Sequence, residues 1–256
     1  MDNRICAQLY NIRDFCQTKE GLDGSLAKLQ KIGYKTVQIS GVGADITAEE
    51  IKEITDKYGM EIMLTHTPAA RYENDIDGVI KDHHTMNCKI AGLGGTDQAT
   101  RSSEGIKRFV EKYSKIADKL YENGLVFAYH NHAFDFVKLS DGKTLIDYII
   151  ENTDPEKFKI VADLYWSAFA GVDPVKFLKK LGDRAIVCHY KDLKCKPDNT
   201  VTMCEVGQGN LDWDEIIEFN RKSKTVCAAV ELDVSERDQF ESYEMSYNFL
   251  KTKGFI

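Results

Sequence analysis

The chain has 256 residues, of which 43% are apolar, and a formal net charge of -7. It is long enough to bury a large core, and its lysines and arginines form no basic run, which argues against a nucleic-acid-binding protein. The first residues form no apolar leader, and no stretch reaches the roughly 18 apolar residues of a membrane span. Seven scattered cysteines without a CxxC pair argue against a disulfide framework or a zinc knuckle. We therefore expect a cytoplasmic protein with no nucleic-acid or membrane partner.

Strand-like and helix-like segments alternate along the first half of the chain. Short apolar runs predict strands, and apolar residues at three- and four-residue spacing predict helices. A capping box at Thr47 and Glu50 marks the start of the second helix. The predicted strands are 4–10, 35–40, 60–65 and 88–93, and the predicted helices are about 22–32, 47–58, 73–86 and 102–123.

The second half continues the alternation. Its first strand begins at 125 and runs into His130 and His132, and three more follow at 159–164, 184–190 and 226–232. Helices are predicted at 143–151, from Pro174, from 212 after a long glycine-containing loop, and at 237–253.

Eight strand-then-helix units without a linker predict one domain over residues 1–256. Apolar strands separated by helices pair in parallel with both faces covered, and eight units in this length fit a closed parallel (β/α)8 TIM barrel of the α/β class. The structural alternative is an open doubly wound sheet. It should show a glycine fingerprint after the first strand, and none follows Tyr10.

In such a barrel, the active-site groups lie at the carboxyl ends of the strands. Strand alternation places four inward residues at the ends of strands five to eight: His130, Asp163, His189 and Glu231. Converging carboxylates repel each other unless a cation lies between them, and a mixed nitrogen and oxygen set suits a divalent ion. We therefore expect one divalent metal ion, with Mn²⁺, Co²⁺, Zn²⁺, Mg²⁺ and Fe²⁺ as the candidates.

Motifs on strands five to eight resemble a known family. They are the segments 129–136 (YHNHAFDF), 163–166 (DLYW), 189–192 (HYKD), 206–213 (VGQGNLDW) and 230–233 (VELD). The chain resembles the xylose isomerase-like TIM barrels, which include sugar phosphate isomerase/epimerase-like proteins, inosose dehydratases, 3-keto-sugar eliminases and, more remotely, endonuclease IV. The resemblance implies one divalent ion bound through Asp163, His189 and Glu231.

The fifth-strand position departs from the family pattern. The sugar epimerases have a glutamate where this chain has His130, so an exchange of protons between two glutamates is not expected here. Either His130 is itself a ligand, or Asp135 or His132 takes that role and leaves His130 as a base.

The preferred interpretation is a metal-dependent sugar or polyol isomerase or epimerase. His130 or His132 would move the proton next to a carbonyl, with Glu231 as ligand and second acid or base, and Lys191 would offset oxyanion charge unless it forms a surface ion pair. Tyr10, His66, Trp166 and Asp135 are the candidate substrate-binding residues. A substrate without phosphate is favoured because the loop after the eighth strand is short and acidic.

Two other functions stay open. A lyase or dehydratase would expel a group next to the same enolate, as in inosose dehydration or β-elimination from a 3-keto-glycoside. A non-catalytic sugar-binding or partner subunit would bind without turnover. We expect a small carbohydrate as the substrate, and the chain is compatible with a homo-oligomer or with a small partner subunit.

Overall fold

A closed barrel of eight parallel strands forms the centre of the molecule in the computed structural model, which describes residues 4–256. The strands in chain order are β1 (Ile5–Gln8), β2 (Thr36–Ile39), β3 (Glu61–His66), β4 (Ile90–Leu93), β5 (Val126–His130), β6 (Phe158–Asp163), β7 (Ala185–Tyr190), β8 (Asp192–Cys195), β9 (Val201–Cys204) and β10 (Ala228–Val230). Strands β1 to β7 pair in sequence, and β10 closes the barrel between β7 and β1. The predicted (β/α)8 barrel is confirmed. That residues 1–256 make one domain stays a prediction, and residues 1–3 lie outside the described residues.

Helices surround the barrel. They are α1 (Lys19–Ile32), α2 (Ala48–Lys57), α3 (Ala69–Asn74), α4 (Ile76–Thr85), α5 (Ser103–Glu122), α6 (Leu145–Asn152), α7 (Leu164–Phe169), α8 (Pro174–Leu181), α9 (Trp213–Arg221) and α10 (Gln239–Thr252). The capping box of Thr47 and Glu50 starts α2, and Pro174 occupies the first turn of α8, as the sequence predicts. Among the described residues, no helix is long and apolar enough to cross a membrane.

Alternation along the strands sorts side chains between the barrel interior and the helix layer. Ala128, Val161 and Val187 belong to the cluster that fills the interior. The neighbouring Tyr129 lies in the outer cluster, with its ring 5.4 Å from that of Phe109 on α5. Small inward and bulky outward residues let the barrel close while the helices bury its outer face. The predicted inward direction of His130 follows from this pattern.

Three features differ from the prediction. The loop after β7 contains the antiparallel hairpin of β8 and β9, and the short helix α7 follows β6 at once. The predicted helix at 73–86 is two helices, because Asp75 has a non-helical backbone (φ of −150° and ψ of 49°) and caps α4 by accepting from the Gly78 amide. The hairpin and α7 both lie beside the carboxyl ends of the strands.

Candidate active site

Four predicted ligands converge at the carboxyl ends of the barrel strands. His130 ends β5, Asp163 ends β6, His189 lies near the end of β7, and Glu231 follows β10. Each offers a nitrogen or oxygen atom, and these atoms lie within 4.8 Å of one another. All four side chains are buried. We call this set the four-residue cluster.

Asp163 is held by its position between a strand and a helix. It is the N-cap of α7, and its Oδ1 accepts a hydrogen bond from the Trp166 amide at 2.8 Å. The amide of Asp163 donates to Asn131 Oδ1 at 2.9 Å. The other carboxylate oxygen, Oδ2, is therefore directed to the cluster, where it lies 3.1 Å from His130 Nε2.

His189 is oriented from the opposite side of the barrel. Its Nε2 donates to Gln38 Oε1 at 2.9 Å, and its Nδ1 lies 2.7 Å from Glu231 Oε2. Burial lowers the pKa of His189 despite the nearby carboxylates, which favours the neutral ring. With Nε2 protonated, a neutral ring presents a lone pair to a carboxylate oxygen. A cation between these two acceptors would stabilise the contact.

Lys191 is a buried cation that contacts three carboxylates. Its side chain is 0% exposed, and Nζ lies 3.2 Å from Asp163 Oδ2, 3.0 Å from Glu231 Oε2 and 3.1 Å from Asp233 Oδ2. Burial alone would lower the pKa of Lys191, but the carboxylates outweigh it and raise the pKa. Lys191 in turn holds the pKa of Asp163 and Glu231 low against the effect of burial. The alternative of a surface ion pair is wrong, because the ammonium is enclosed.

The donor set fits a divalent cation. Asp163, Glu231 and Asp233 can carry three negative charges, and Lys191 supplies one positive charge, so negative charge remains uncompensated when all three are ionised. Two imidazoles and two carboxylates are ligands that Mn²⁺, Co²⁺, Zn²⁺ and Fe²⁺ accept. His130, Asp163, His189 and Glu231 would hold the ion, and their role as ligands stays a prediction.

His130 stands at the position where the resemblance to sugar epimerases implies a glutamate, and its ring can donate hydrogen bonds. Its Nε2 contacts Asp163, and its Nδ1 lies 3.3 Å from the carbonyl oxygen of Gly94. Burial opposes the charged ring, but the hydrogen bond to Asp163 and the charge of Glu231 raise the pKa of His130. Both ring nitrogens thus face acceptors, and a metal ion would have to displace the proton on the ligating nitrogen.

The alternatives to His130 are placed differently. Asp135 is 1% exposed, and its carboxylate accepts from the Tyr129 hydroxyl at 2.9 and 3.0 Å and from the His132 amide at 2.7 Å. It belongs neither to the four-residue cluster nor to the cavity wall, so the geometry gives it a structural role in place of the predicted contact with substrate or metal. His132 Nδ1 is buried without a hydrogen-bond partner, and the pKa of His132 is lowered to about 3 by burial and by His130.

A cavity of about 630 Å³ opens beside the cluster. We call it the catalytic cavity, and five predicted residues line it: Tyr10, His66, His130, His132 and Glu231. Trp166 lies behind this wall, with its ring 5.5 Å from the ring of His132 and 5.3 Å from Lys191 Nζ. Lys191 does not line the cavity either, so its predicted action on a substrate oxyanion is not supported by its position.

Sequence reasoning missed Gln38 and Arg13. Gln38 is an inward residue near the end of β2 and is 0% exposed, so the alternation used for β5 would have identified it. Arg13 lines the catalytic cavity with its guanidinium 4.3 Å from the centre of the Tyr10 ring. It lies in a 3₁₀ segment after β1, where no periodic pattern indicates the direction of a side chain.

Asp192 organises the loop beside Lys191. Its buried carboxylate accepts from the amides of Gly207 at 3.0 Å and Gly209 at 2.9 Å, and from Trp213 Nε1 at 2.6 Å. A Cβ atom at position 209 would lie 2.3 Å from Asp192 Oδ1, so only glycine allows this approach. The glycine-containing segment 206–213 therefore holds the hairpin of β8 and β9 against the barrel.

The chain is similar to known proteins along most of its length. The rhizopine catabolism protein MocC of Rhizobium meliloti is 22% identical over 263 residues, covering 88% of this chain and 78% of that protein. Inosose dehydratase of Geobacillus kaustophilus is 23% identical over 195 residues, covering 67% of this chain and 62% of that enzyme.

Solved structures share the fold. A sugar phosphate isomerase/epimerase from Parabacteroides distasonis superposes with a TM-score of 0.84 at 21% identity, covering 100% of this chain and 96% of that one. The IOLI protein, solved with a zinc atom, superposes with a TM-score of 0.71 at 15% identity and 99% coverage of both chains. The family model of the xylose isomerase-like TIM barrel matches residues 26–252. The chain therefore belongs to the xylose isomerase-like TIM-barrel family.

Proposed function

We propose that the protein removes a proton from the carbon next to a carbonyl group in a sugar or polyol. The observation that carries this proposal is the four-residue cluster beside the catalytic cavity. A divalent ion bound there would polarise the carbonyl and stabilise the negative charge that develops on its oxygen. A carbohydrate substrate is supported by the sugar-processing relatives, and a metal by the zinc atom of the IOLI protein.

We assign proton acceptance to His132. It lines the catalytic cavity, and the lowered pKa keeps its ring neutral at physiological pH. A neutral imidazole with so low a pKa is a weak base, so it can act only on a strongly activated carbon acid. Asp163 and Glu231 remain ionised beside Lys191 and keep the cluster able to supply that activation.

We propose elimination as the outcome. Glu231 and Asp233, the two carboxylates that line the cavity, both follow β10 and so lie on one side of it. Both oxygens of Glu231 are engaged, Oε1 by Gln8 at 3.3 Å and Oε2 by His189 and Lys191. A second base on the opposite face, which two-base epimerisation uses, is not provided by a carboxylate in the cavity wall of residues 4–256. Loss of a β-substituent needs one base, because the His132 imidazolium formed by proton abstraction can return its proton to the departing oxygen as the carbon–oxygen bond breaks. The similarity to inosose dehydratase supports this outcome.

Isomerisation or epimerisation is the second candidate. A single neutral His132 can carry a proton between neighbouring carbons of one substrate face, which is sufficient for aldose–ketose isomerisation. The similarity to a sugar phosphate isomerase/epimerase favours it.

Solvent exchange tests the proposal and separates the outcomes. Metal-loaded protein is incubated in D₂O with 2-keto sugars, 3-keto glycosides and keto-inositols. Elimination gives a new unsaturated carbonyl absorbance, whereas isomerisation gives deuterium at carbon without loss of the substituent. His132→Gln should lose exchange by about 100-fold while it retains its metal. Full metal occupancy with no exchange into any of these compounds would instead support a non-catalytic sugar-binding subunit.

A further inference from the structure

A second cavity of about 350 Å³ lies between the barrel and the helices α2 and α4. We call it the aliphatic side cavity. The buried apolar part of its wall is Ile39, Ile46, Ala48, Ile51, Val79 and Met86. These side chains are each between 1% and 9% exposed. One part of the wall is therefore aliphatic, and another part carries polar and charged side chains, among them Arg71, Asp82 and His83.

The aliphatic side cavity is continuous with the catalytic cavity. Ser40, Gly41, His66, Thr67 and Pro68 line both. The His66 ring lies 5.1 Å from the ring of His130, so the junction is one side chain away from the four-residue cluster. Gly41 has a φ of +67°, and a Cβ atom there would lie 2.9 Å from Arg13 Cβ. A larger residue at 41 would narrow the junction.

The polar groups in the aliphatic side cavity have partners except His66 Nε2, which is buried without one at the junction with the catalytic cavity. His83 Nδ1 donates to the Val79 carbonyl at 2.7 Å, and Nε2 accepts from the Thr65 hydroxyl at 2.9 Å. Arg71 pairs with Asp82 at 3.0 Å. Away from His66, the space between the aliphatic side chains and these satisfied polar groups holds water poorly, because water needs two to four polar partners. Its chemistry matches an apolar ligand group.

Another branch of the catalytic cavity differs from the aliphatic side cavity in its lining. A cavity of about 230 Å³ shares Leu93 and Gly95 with the catalytic cavity, but its wall carries Glu73, Asp97 and Lys112. Both branches carry charged side chains, since Arg71 and Asp82 line the aliphatic side cavity. The aliphatic side cavity is the larger of the two branches and has six buried aliphatic side chains in its wall, which makes it the branch better suited to an apolar substituent.

We propose that the aliphatic side cavity is a subsite for an uncharged apolar group carried by the substrate. The substrate class is then a glycoside with an aglycone of about one aromatic ring, in place of a free monosaccharide. A dry hydrocarbon cavity of about 150 Å³ suffices for benzene, so a space of about 350 Å³ accommodates a ring and its link to the sugar. This inference rests on the proposed function for the position of the sugar.

Matched substrates and a filled cavity test the subsite. Methyl and phenyl glycosides of the same keto sugar are compared for exchange, and phenol alone is titrated by ligand-observed NMR. The wild type should prefer the phenyl over the methyl glycoside by about tenfold or more in KM, given the apolar area buried. Ala48→Leu, which fills the cavity, should reduce the preference below about threefold and abolish phenol binding. Ala70→Leu, at an exposed position outside both cavities, should preserve both.

Ile51→Ala provides an independent variant with a larger cavity, and it should gain binding of naphthol. Equal KM values for the two glycosides, with phenol binding unaffected by Ala48→Leu, would overturn the subsite even if exchange occurs. Phenol binding that depends on Ala48, in a protein that exchanges no sugar proton, would overturn the proposed function and retain the subsite.

Discussion

The two halves of the barrel deliver opposite kinds of side chain to the same end. Strands β5, β6, β7 and β10, with the residues that follow them, supply the charged set His130, Asp163, Lys191, Glu231 and Asp233, and they also supply the neutral ring of His189. Strands β1 to β3 end in the neutral residues Gln8, Gln38 and His66. The Gln8 amide donates to Glu231 on the neighbouring strand end, and the Gln38 side chain accepts from His189 across the barrel. One half thus concentrates charge, and the other orients it and leaves space for a ligand.

The largest expected effect on stability comes from removing Lys191, the buried cation of the charged half. Lys191→Met should lower the free energy of unfolding of metal-free protein by about 3–5 kcal/mol, because two buried carboxylates lose their partner. A divalent ion should restore part of this loss. Urea denaturation with chelator and with Mn²⁺ measures both effects.

Lys196→Met is the matched control, since the pair of Lys196 with Glu236 is solvent-exposed and its removal should change the stability far less than Lys191→Met does. Equal effects of the two lysine substitutions would contradict the account of the charged half.

Asp135 shows what happens to a carboxylate in the same half without a contacting cation. Burial raises its pKa to about 7 despite the hydrogen bonds from His132 and Tyr129. The folded state therefore keeps the proton after the unfolded chain has released it. Relative to Asp135→Asn, the wild type should lose stability as pH rises from about 4 to about 7, by about 4 kcal/mol at most. Urea denaturation of both proteins across this range gives the difference, and a constant difference would contradict the prediction.

The neutral half should control metal affinity because Gln38 orients the ring of His189, a predicted ligand. Gln38→Leu removes the acceptor of His189 Nε2 and should weaken metal binding by about 10–100-fold, as other losses of ligand-orienting partners do. Competition with a chelating dye measures the dissociation constant. Gln30→Leu, on the exposed face of α1, should leave it unchanged. If Gln38→Leu binds the metal as tightly as the wild type, the neutral half does not control metal affinity.

The smallest expected effect comes from a substitution that should change the stability of the neutral half without changing metal affinity. Thr47→Ala removes the capping box of α2 and should cost about 1 kcal/mol of stability. Metal affinity should not change, because α2 contributes no residue to the four-residue cluster. Thermal unfolding and the same dye competition check the two parts, and a loss of metal affinity would show that the halves are coupled through the helix layer.

The barrel and the convergence of its strand ends were predictable because both follow from alternation. The side-chain direction of His130 and the capping of α2 and α8 need only local spacing. The hairpin of β8 and β9 had a signal that was not used: Pro197, Asp198 and Asn199 form a turn sequence between two alternating segments, and Asn199 has a φ of +65°.

Other features depend on contacts between distant segments. The burial of Lys191 among three carboxylates requires the register of β6, β7 and β10, which spacing within one strand does not give. Asp135 is a residue type that often binds metal ions. It instead accepts a hydrogen bond from Tyr129, whose side chain points to the helix layer, and this contact holds Asp135 away from the four-residue cluster. The side cavity arises from how α2 and α4 pack on β2 and β3, and no motif marks it.

Elemental analysis tests the central claim most directly. Wild-type protein purified without chelator is compared with an Asp163→Ala, Glu231→Ala double variant whose fold is verified by circular dichroism. The account predicts about one divalent ion per wild-type chain and almost none in the variant, because the substitutions remove both carboxylate ligands. A wild type that carries no stoichiometric metal, even after incubation with Mn²⁺ or Zn²⁺, would contradict the metal site and the proposed function together.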